Sequence, residues 1–214
     1  MLDLFGDPSP GSPRLLAEGA WLLPGFATGP GRALLTAIGT VAGHTPFRQM
    51  ETPGGGRMSV AMTSCGHLGW LTDRSGYRYG VVDPVTGQPW PTMPLILAEL
   101  AARAAGAAGY PGFQPDSCLI NRYAPGTRMG LHQDRDEADM AHPIVSVSLG
   151  LPAIFLFGGR TRTGPVQRVP LHHGDIVVWG GPSRRFYHGV APVAAGEHPL
   201  AGPFRYNLTF RRAG

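Results

Sequence analysis

Ile144-Val145-Ser146-Val147-Ser148-Leu149-Gly150-Leu151-Pro152-Ala153-Ile154-Phe155-Leu156-Phe157-Gly158-Gly159 reads as two short strands, Ile144–Gly150 and Ala153–Phe157, closed by a Gly-Gly turn. The same pattern extends outward. Ser117–Tyr123 precedes it, and 166–171, 175–179, 187–190 and Arg205–Arg211 follow. Ala124-Pro125-Gly126, His173-Gly174-Asp175 and Gly180-Gly181-Pro182 supply the turns. Many short strands with turns at this spacing specify a sandwich or barrel. The expected fold is mainly β with flanking helices, a double-stranded β-helix or jelly roll over residues 112–214.

Upstream the periodicity changes. Leu34, Leu35, Ile38 and Val41 keep a helical period over 31–42, with Pro30 as a start signal and Gly43 as a stop. Residues 94–108 form a second, alanine-rich apolar helix. Both are expected to brace the sheets from outside. Between them, 58–63 and 76–82 read as strands of a hairpin-rich segment, and Pro53-Gly54-Gly55-Gly56 marks a turn. No Gly-Lys-Ser/Thr follows those glycines, so they are not a phosphate loop. Residues 7–14 read as irregular. The chain is expected to be one domain, 1–214, with an N-terminal extension (1–46), a lid (47–92) and the jelly-roll core (112–214).

Composition sets the outer bounds. With 214 residues, 43% apolar and 15% charged, the chain is an ordinary globular one. Gly 32 and Pro 22 lack a repeat period and mark turns. All 18 basic residues are arginine and the formal charge is +4. That balance is compositional bias or a partner with phosphates, which arginine binds bidentately. Two cysteines, Cys65 and Cys118, suggest neither a disulfide framework nor a zinc site. Residues 1–7 lack the features of a signal peptide, and no apolar run is long enough to span a bilayer. A soluble cytoplasmic monomer with no membrane partner is expected.

The chemistry begins at His132-Gln133-Asp134. Residues i and i+2 of an extended segment face the same way, so His132 and Asp134 can address one ion. A second histidine completes the 2-His-1-carboxylate triad of non-haem iron(II). His142 and His198 precede prolines in loops, and the adjacent His172 and His173 sit at a turn. His188, in a late strand, is preferred. On Arg205–Arg211, Arg205, Asn207, Thr209 and Arg211 share one face and Tyr206, Leu208 and Phe210 the other. A solvated arginine edge gives the same alternation. Asn121 and Tyr123 share a face just before the His-x-Asp motif and can add neutral hydrogen bonds. Two arginines can close on a short dicarboxylate, and one that also chelates iron is 2-oxoglutarate.

His132-x-Asp134, His188 and Arg205-x-Asn207-x-x-x-Arg211 together resemble the signature of the AlkB family of iron(II)- and 2-oxoglutarate-dependent dioxygenases. The likeness extends through Asn121–Gly126, Pro143–Gly150, His173–Gly181, Cys65-Gly66-His67-Leu68-Gly69-Trp70 and Met1-Leu2-Asp3-Leu4-Phe5. It implies that His132, Asp134 and His188 bind iron(II), and that Asn121, Tyr123, Arg205, Asn207 and Arg211 bind 2-oxoglutarate, with O₂ as the second co-substrate. It implies substrate contacts at Trp70, Tyr77, Asp136 and Arg162, with 47–92 as a nucleotide-recognition lid. The implied reaction is oxidative demethylation of bases such as 1-methyladenine and 3-methylcytosine in DNA or RNA, releasing formaldehyde, succinate and CO₂. Arg128, Arg160 and Arg162 are candidates for phosphate contacts. Trp70 as a core residue, and Asp136 with Glu137 as a solvated acidic loop, are the competing readings. An oxygenase acting on a protein side chain or small metabolite, and a non-catalytic jelly-roll module, are the alternatives for the whole chain.

Overall fold

A computed structural model describes residues 11–214. The expectations for 1–7 and for the Met1–Phe5 run lie outside the described residues, as does the first half of 7–14. Seven strands form the large sheet, in the order β1 (Arg14–Ala17), β2 (Ala20–Leu23), β11 (Ile176–Trp179), β8 (Ile144–Gly150), β13 (Arg205–Arg211), β6 (Ser117–Tyr123) and β3 (Ala61–Gly66). A second sheet runs β10 (Gln167–Leu171), β9 (Ala153–Phe157), β12 (His188–Val190) and β7 (Met129–His132). All pairings are antiparallel. β4 (Gly69–Asp73) and β5 (Gly76–Gly80) form a separate hairpin.

Alternation along the central strands sorts side chains into two layers. Val145, Val147 and Leu149 of β8, Leu208 and Phe210 of β13, and Cys118 and Ile120 of β6 point to the helix side. There they pack against Leu34, Ile38 and Val41 of α1 (Gly31–His44) and Leu97, Leu100, Ala101 and Ala104 of α2 (Leu95–Ala107). The opposite face meets the second sheet. Ile144, Val177 and Trp179 pack on Phe155, Phe157, Val169 and Leu171 at one end. Leu119 and Tyr123 pack on Ala153 and Val190 at the other. The two helices brace a jelly-roll core, as the periodicity requires.

Several boundaries differ from the sequence reading. α1 continues past Gly43 to His44, because Thr45 is buried, its backbone and side chain both bond Val41 O, and Thr63 donates to it. The strand expected over 58–63 is displaced to Ala61–Gly66, where pairing with β6 fixes the register and both faces are covered. β3 is thus an edge strand of the large sheet. The strand expected over 76–82 stops at Gly80. The short strands β1, β2, β4 and β7 carry too few residues to show a period.

The turn before β11 requires a glycine. Gly174 has φ 87°, donates to Ser148 O at 2.8 Å and accepts from Ala27 N at 2.8 Å. A Cβ there would lie 2.6 Å from the Thr28 backbone nitrogen. Gly174→Ala is expected to lower stability by about 1–3 kcal/mol from the left-handed backbone alone, with the clash adding to it. Urea unfolding of the variant beside the parent checks this; equal midpoints would contradict it.

Candidate metal centre, co-substrate pocket and base groove

β7 and β12 pair so that His132 lies directly opposite His188, with ring centroids 4.4 Å apart. Asp134 follows just beyond the end of β7. Its Oδ1 lies 3.6 Å from His132 Nε2 and its Oδ2 3.8 Å from His188 Nε2. His132 Nδ1 donates to Gly130 O at 2.8 Å and His188 Nδ1 to Phe186 O at 3.0 Å. Those bonds fix both tautomers and leave both Nε2 lone pairs free for an ion. Burial, then the neighbouring His132, pulls the His188 imidazole down to about 4, so it is neutral near pH 7. Burial opposes ionisation of Asp134, but Arg211 and the two histidines hold its carboxyl well below the usual range. Two imidazoles and one carboxylate, with donor atoms within 4.8 Å of one another, fit a facial iron(II) site. No other such cluster occurs among the described residues. His142 and His172 pair with Asp139 and Asp175 instead, and His173 stacks on His198.

Behind the triad, between the sheets, is a polar pocket. Asn121 and Tyr123 enter it from β6, Ser146 from β8, and Arg205, Asn207, Thr209 and Arg211 from β13. The Trp179 ring closes one wall, 4.9 Å from the His188 ring. Asn207 is locked in place: its Nδ2 donates to Ser146 Oγ at 2.7 Å and its Oδ1 accepts from Thr209 Oγ1 at 2.9 Å. Arg205 is 1% exposed and forms no ion pair among the described residues. It donates to Ser148 Oγ at 2.9 Å, while its Nε has no partner. Burial draws its guanidinium down to about 10. A buried cation without a counter-ion is costly, and an anionic ligand would supply both the charge and the missing acceptor. Arg211 differs. Its Nη2 lies 2.6 Å from Asp134 Oδ2 and its Nε 3.0 Å from Glu137 Oε1, leaving Nη1 unpartnered. The donors therefore fit a short dicarboxylate reaching from Arg205 to the triad.

A larger groove of about 580 Å³ opens over the triad. Trp70, Tyr77, Asp136 and Arg162 all line it, as do His132 and Asp134. Trp70 is half-buried against the core cluster that includes Met62, Leu119 and Val190, and it stacks on Tyr77, with centroids 5.6 Å apart. Its Nε1 donates to Asp136 Oδ2 at 3.3 Å. Arg57, Arg128 and Arg135 add positive charge to the rim, whereas Arg160 bonds Pro182 O and lies away from the lining.

Three residues near the site escaped the sequence reading. Glu137 is buried rather than solvated: its Oε1 accepts from Tyr79 at 2.9 Å and pairs with Arg211, while its Oε2 lies 3.1 Å from Arg184 Nη2. Arg184, 3% exposed, also donates to Asp134 O and His142 O, each at 3.0 Å. It pins both ends of the loop carrying the triad carboxylate. Nothing in the local pattern of Ser183-Arg184-Arg185 distinguishes it. Tyr79 could have been found, because it shares a strand face with Tyr77.

Residues 19–211 match the family model described as the 2OG-Fe(II) oxygenase superfamily. The chain is 62% identical to the alpha-ketoglutarate-dependent dioxygenase AlkB of Salmonella typhimurium, covering 100% of this chain and 98% of that protein. It is 61% identical to the Escherichia coli protein of the same name, covering 100% and 99%. The chain belongs to the AlkB family of 2-oxoglutarate- and iron(II)-dependent dioxygenases. Among solved structures, OsALKBH1 superimposes with a TM-score of 0.81 at 28% identity, over 94% of this chain and 100% of that one. An AlkB-type dioxygenase uses iron(II), 2-oxoglutarate and O₂, and both constellations suit those groups.

The two arginines should separate experimentally. Arg205→Ala is expected to weaken 2-oxoglutarate binding by roughly 1.5–3 kcal/mol, the worth of a charge-assisted bond, with metal affinity unchanged. Arg211→Ala should also lower metal retention, because it strips Asp134 and Glu137 of a buried partner. Calorimetric titration of co-substrate together with metal analysis tests this; identical profiles for the two variants would contradict it. His132→Ala, Asp134→Ala and His188→Ala should each lose iron(II) while keeping the parent's far-ultraviolet dichroism, since no triad side chain closes a sheet.

Proposed function

We infer that the enzyme oxidatively demethylates N-alkylated nucleic-acid bases of the 1-methyladenine and 3-methylcytosine type, reversing alkylation damage with release of formaldehyde, succinate and CO₂. The observation that carries this reading is the joint lining of one groove by Trp70, Tyr77, Asp136 and two members of the triad, His132 and Asp134. A base must leave the stack to be reached. The Trp70–Tyr77 pair offers aromatic faces to receive it, and base–aromatic stacking is worth about 1–3 kcal/mol. Asp136 accepts a hydrogen bond from an exocyclic amine and favours the cationic ring that such alkylation creates. Arg57, Arg128, Arg135 and Arg162 suit flanking phosphates.

His132, Asp134 and His188 are assigned to the iron(II), which when bound supplies the oxidising chemistry. Arg205, with Tyr123 and Asn121 beside it, holds the distal carboxylate of 2-oxoglutarate. Arg211 and Asn207 orient the end nearer the triad. Burial pushes the Tyr123 phenol up to about 12, so it remains a neutral donor. The apolar walls of Leu119, Phe155, Leu171 and Val190 exclude water from this pocket. The site is complete within one chain, which supports a monomer. Two free, buried thiols and a ferrous centre suit the reducing cytoplasm. No helix among the described residues is long and apolar enough to cross a membrane. DNA is the preferred substrate of this reading and RNA a second.

Formaldehyde release from single- and double-stranded oligonucleotides carrying 1-methyladenine or 3-methylcytosine tests it. Succinate formed without formaldehyde from any methylated oligonucleotide would move the substrate to a protein side chain or small metabolite. Trp70→Ala is expected to cut demethylation by about 5- to 150-fold, the stacking term expressed as a rate. Decarboxylation of 2-oxoglutarate without nucleic acid should persist. Equal loss of both, with a lowered melting temperature, would return Trp70 to a structural role.

A further inference from the structure

The β4–β5 hairpin pairs with neither large sheet. Two of its aromatic side chains nevertheless reach successive residues of the loop that carries the triad carboxylate. Trp70 Nε1 donates to Asp136 Oδ2, at the groove surface. The Tyr79 hydroxyl donates to Glu137 Oε1, in the interior. Tyr77 and Tyr79 lie two residues apart on β5, so they leave the strand on one side. The first is half exposed in the groove and the second bonds Glu137.

Glu137 does not stop at Tyr79. Its carboxylate pairs with Arg211 Nε at 3.0 Å and with Arg184 Nη2 at 3.1 Å. Arg211 in turn grips Asp134 through Nε and Nη2, and its Nη1 remains without a partner. Arg211 therefore divides its donors between a triad carboxylate and a carboxylate tethered to the hairpin. Drawing Glu137 towards or away from it changes what remains for a co-substrate carboxylate. Removing any one acceptor from such a buried, charged cluster disturbs the others, because the local dielectric is low.

We propose that Tyr79 and Glu137 are positioning residues that couple occupancy of the base groove to the co-substrate end of the metal centre, through the relay Tyr79–Glu137–Arg211. Nucleic acid seated on Trp70 and Tyr77 fixes the hairpin, and the fixed hairpin fixes the Arg211 guanidinium. The coupling rests on the reading that the groove takes a base. Linkage makes it reciprocal: nucleic acid tightens 2-oxoglutarate, and 2-oxoglutarate tightens nucleic acid by the same factor.

The test is a binding cycle without turnover. The full chain, loaded with iron(II) under anaerobic conditions, is titrated with 2-oxoglutarate with and without a saturating oligonucleotide carrying 1-methyladenine. The ratio of the two dissociation constants is the quantity read. The parent is expected to give a ratio of at least about 5, the lower end of ordinary coupling. Tyr79→Phe, which removes one hydroxyl, is expected to bring the ratio within twofold of 1. Glu137→Gln should do the same by removing the charge that holds Arg211, and melting curves of both variants verify the fold. A ratio near 1 in the parent, or a parental ratio in Tyr79→Phe, overturns the coupling while oligonucleotide binding still upholds the groove. Failure of the parent to bind the methylated oligonucleotide overturns both.

Discussion

Arg211 Nη2 stands 2.6 Å from Asp134 Oδ2, almost out of reach of water. Two carboxylates and two guanidiniums, Asp134, Glu137, Arg184 and Arg211, share this corner of the molecule. Isolated, any one of these charges would be very costly to bury. Together they balance, and the cluster holds an otherwise irregular loop against the end of β13. Asp134 has no strand of its own, since β7 ends at His132. Its aim towards the two imidazoles depends on this electrostatic anchor, whereas both histidines are held by the β7–β12 ladder. The triad is thus built by two different means, backbone pairing for the nitrogen donors and buried ion pairing for the oxygen donor.

The large sheet lets such a cluster exist at all. Helices cover one face and the second sheet covers the other, so even the polar side of β13 is sealed from solvent. Sealing raises the energetic stake of every polar group there. The structure answers with a bonded network around Asn207 and leaves chosen atoms, Arg205 Nε, Arg211 Nη1 and Asn121 Oδ1, without protein partners. Those gaps lie along one pocket. Unsatisfied polar atoms that converge on a cavity are the imprint of a polar ligand rather than a packing fault.

Long strands with clear alternation were legible in the sequence, and with them the residues that line the pocket. Arg205–Arg211 reports its two faces directly, because a period of two needs only seven residues to be unmistakable. His188 was reachable by eliminating histidines at turns and before prolines. What could not be read were features decided by tertiary neighbours. The register of β3 follows from β6 and not from its own residues. Arg184 and Glu137 carry ordinary surface chemistry in their local sequence, and only the approach of β13 and of the 181–183 turn makes them interior. The solvated reading of the polar face of β13 failed for the same reason, since burial of a strand on both sides is a property of the assembled sheets.

The placement of the two thiols has a consequence for durability. Cys65 and Cys118 sit opposite each other across β3 and β6, on the helix side of the large sheet, and are fully buried. Burial and the neighbouring Cys65 push the Cys118 thiol well above its usual range, which keeps it from becoming a thiolate. A thiolate is the form that captures transition metals and reacts with oxidants. The pocket-side neighbours on β6, Leu119 and Asn121, point the other way. The alternation that delivers hydrogen-bond donors to the metal's side of the sheet therefore also insulates both thiols from it, so that an enzyme working with iron and oxygen keeps them behind a wall of its own backbone.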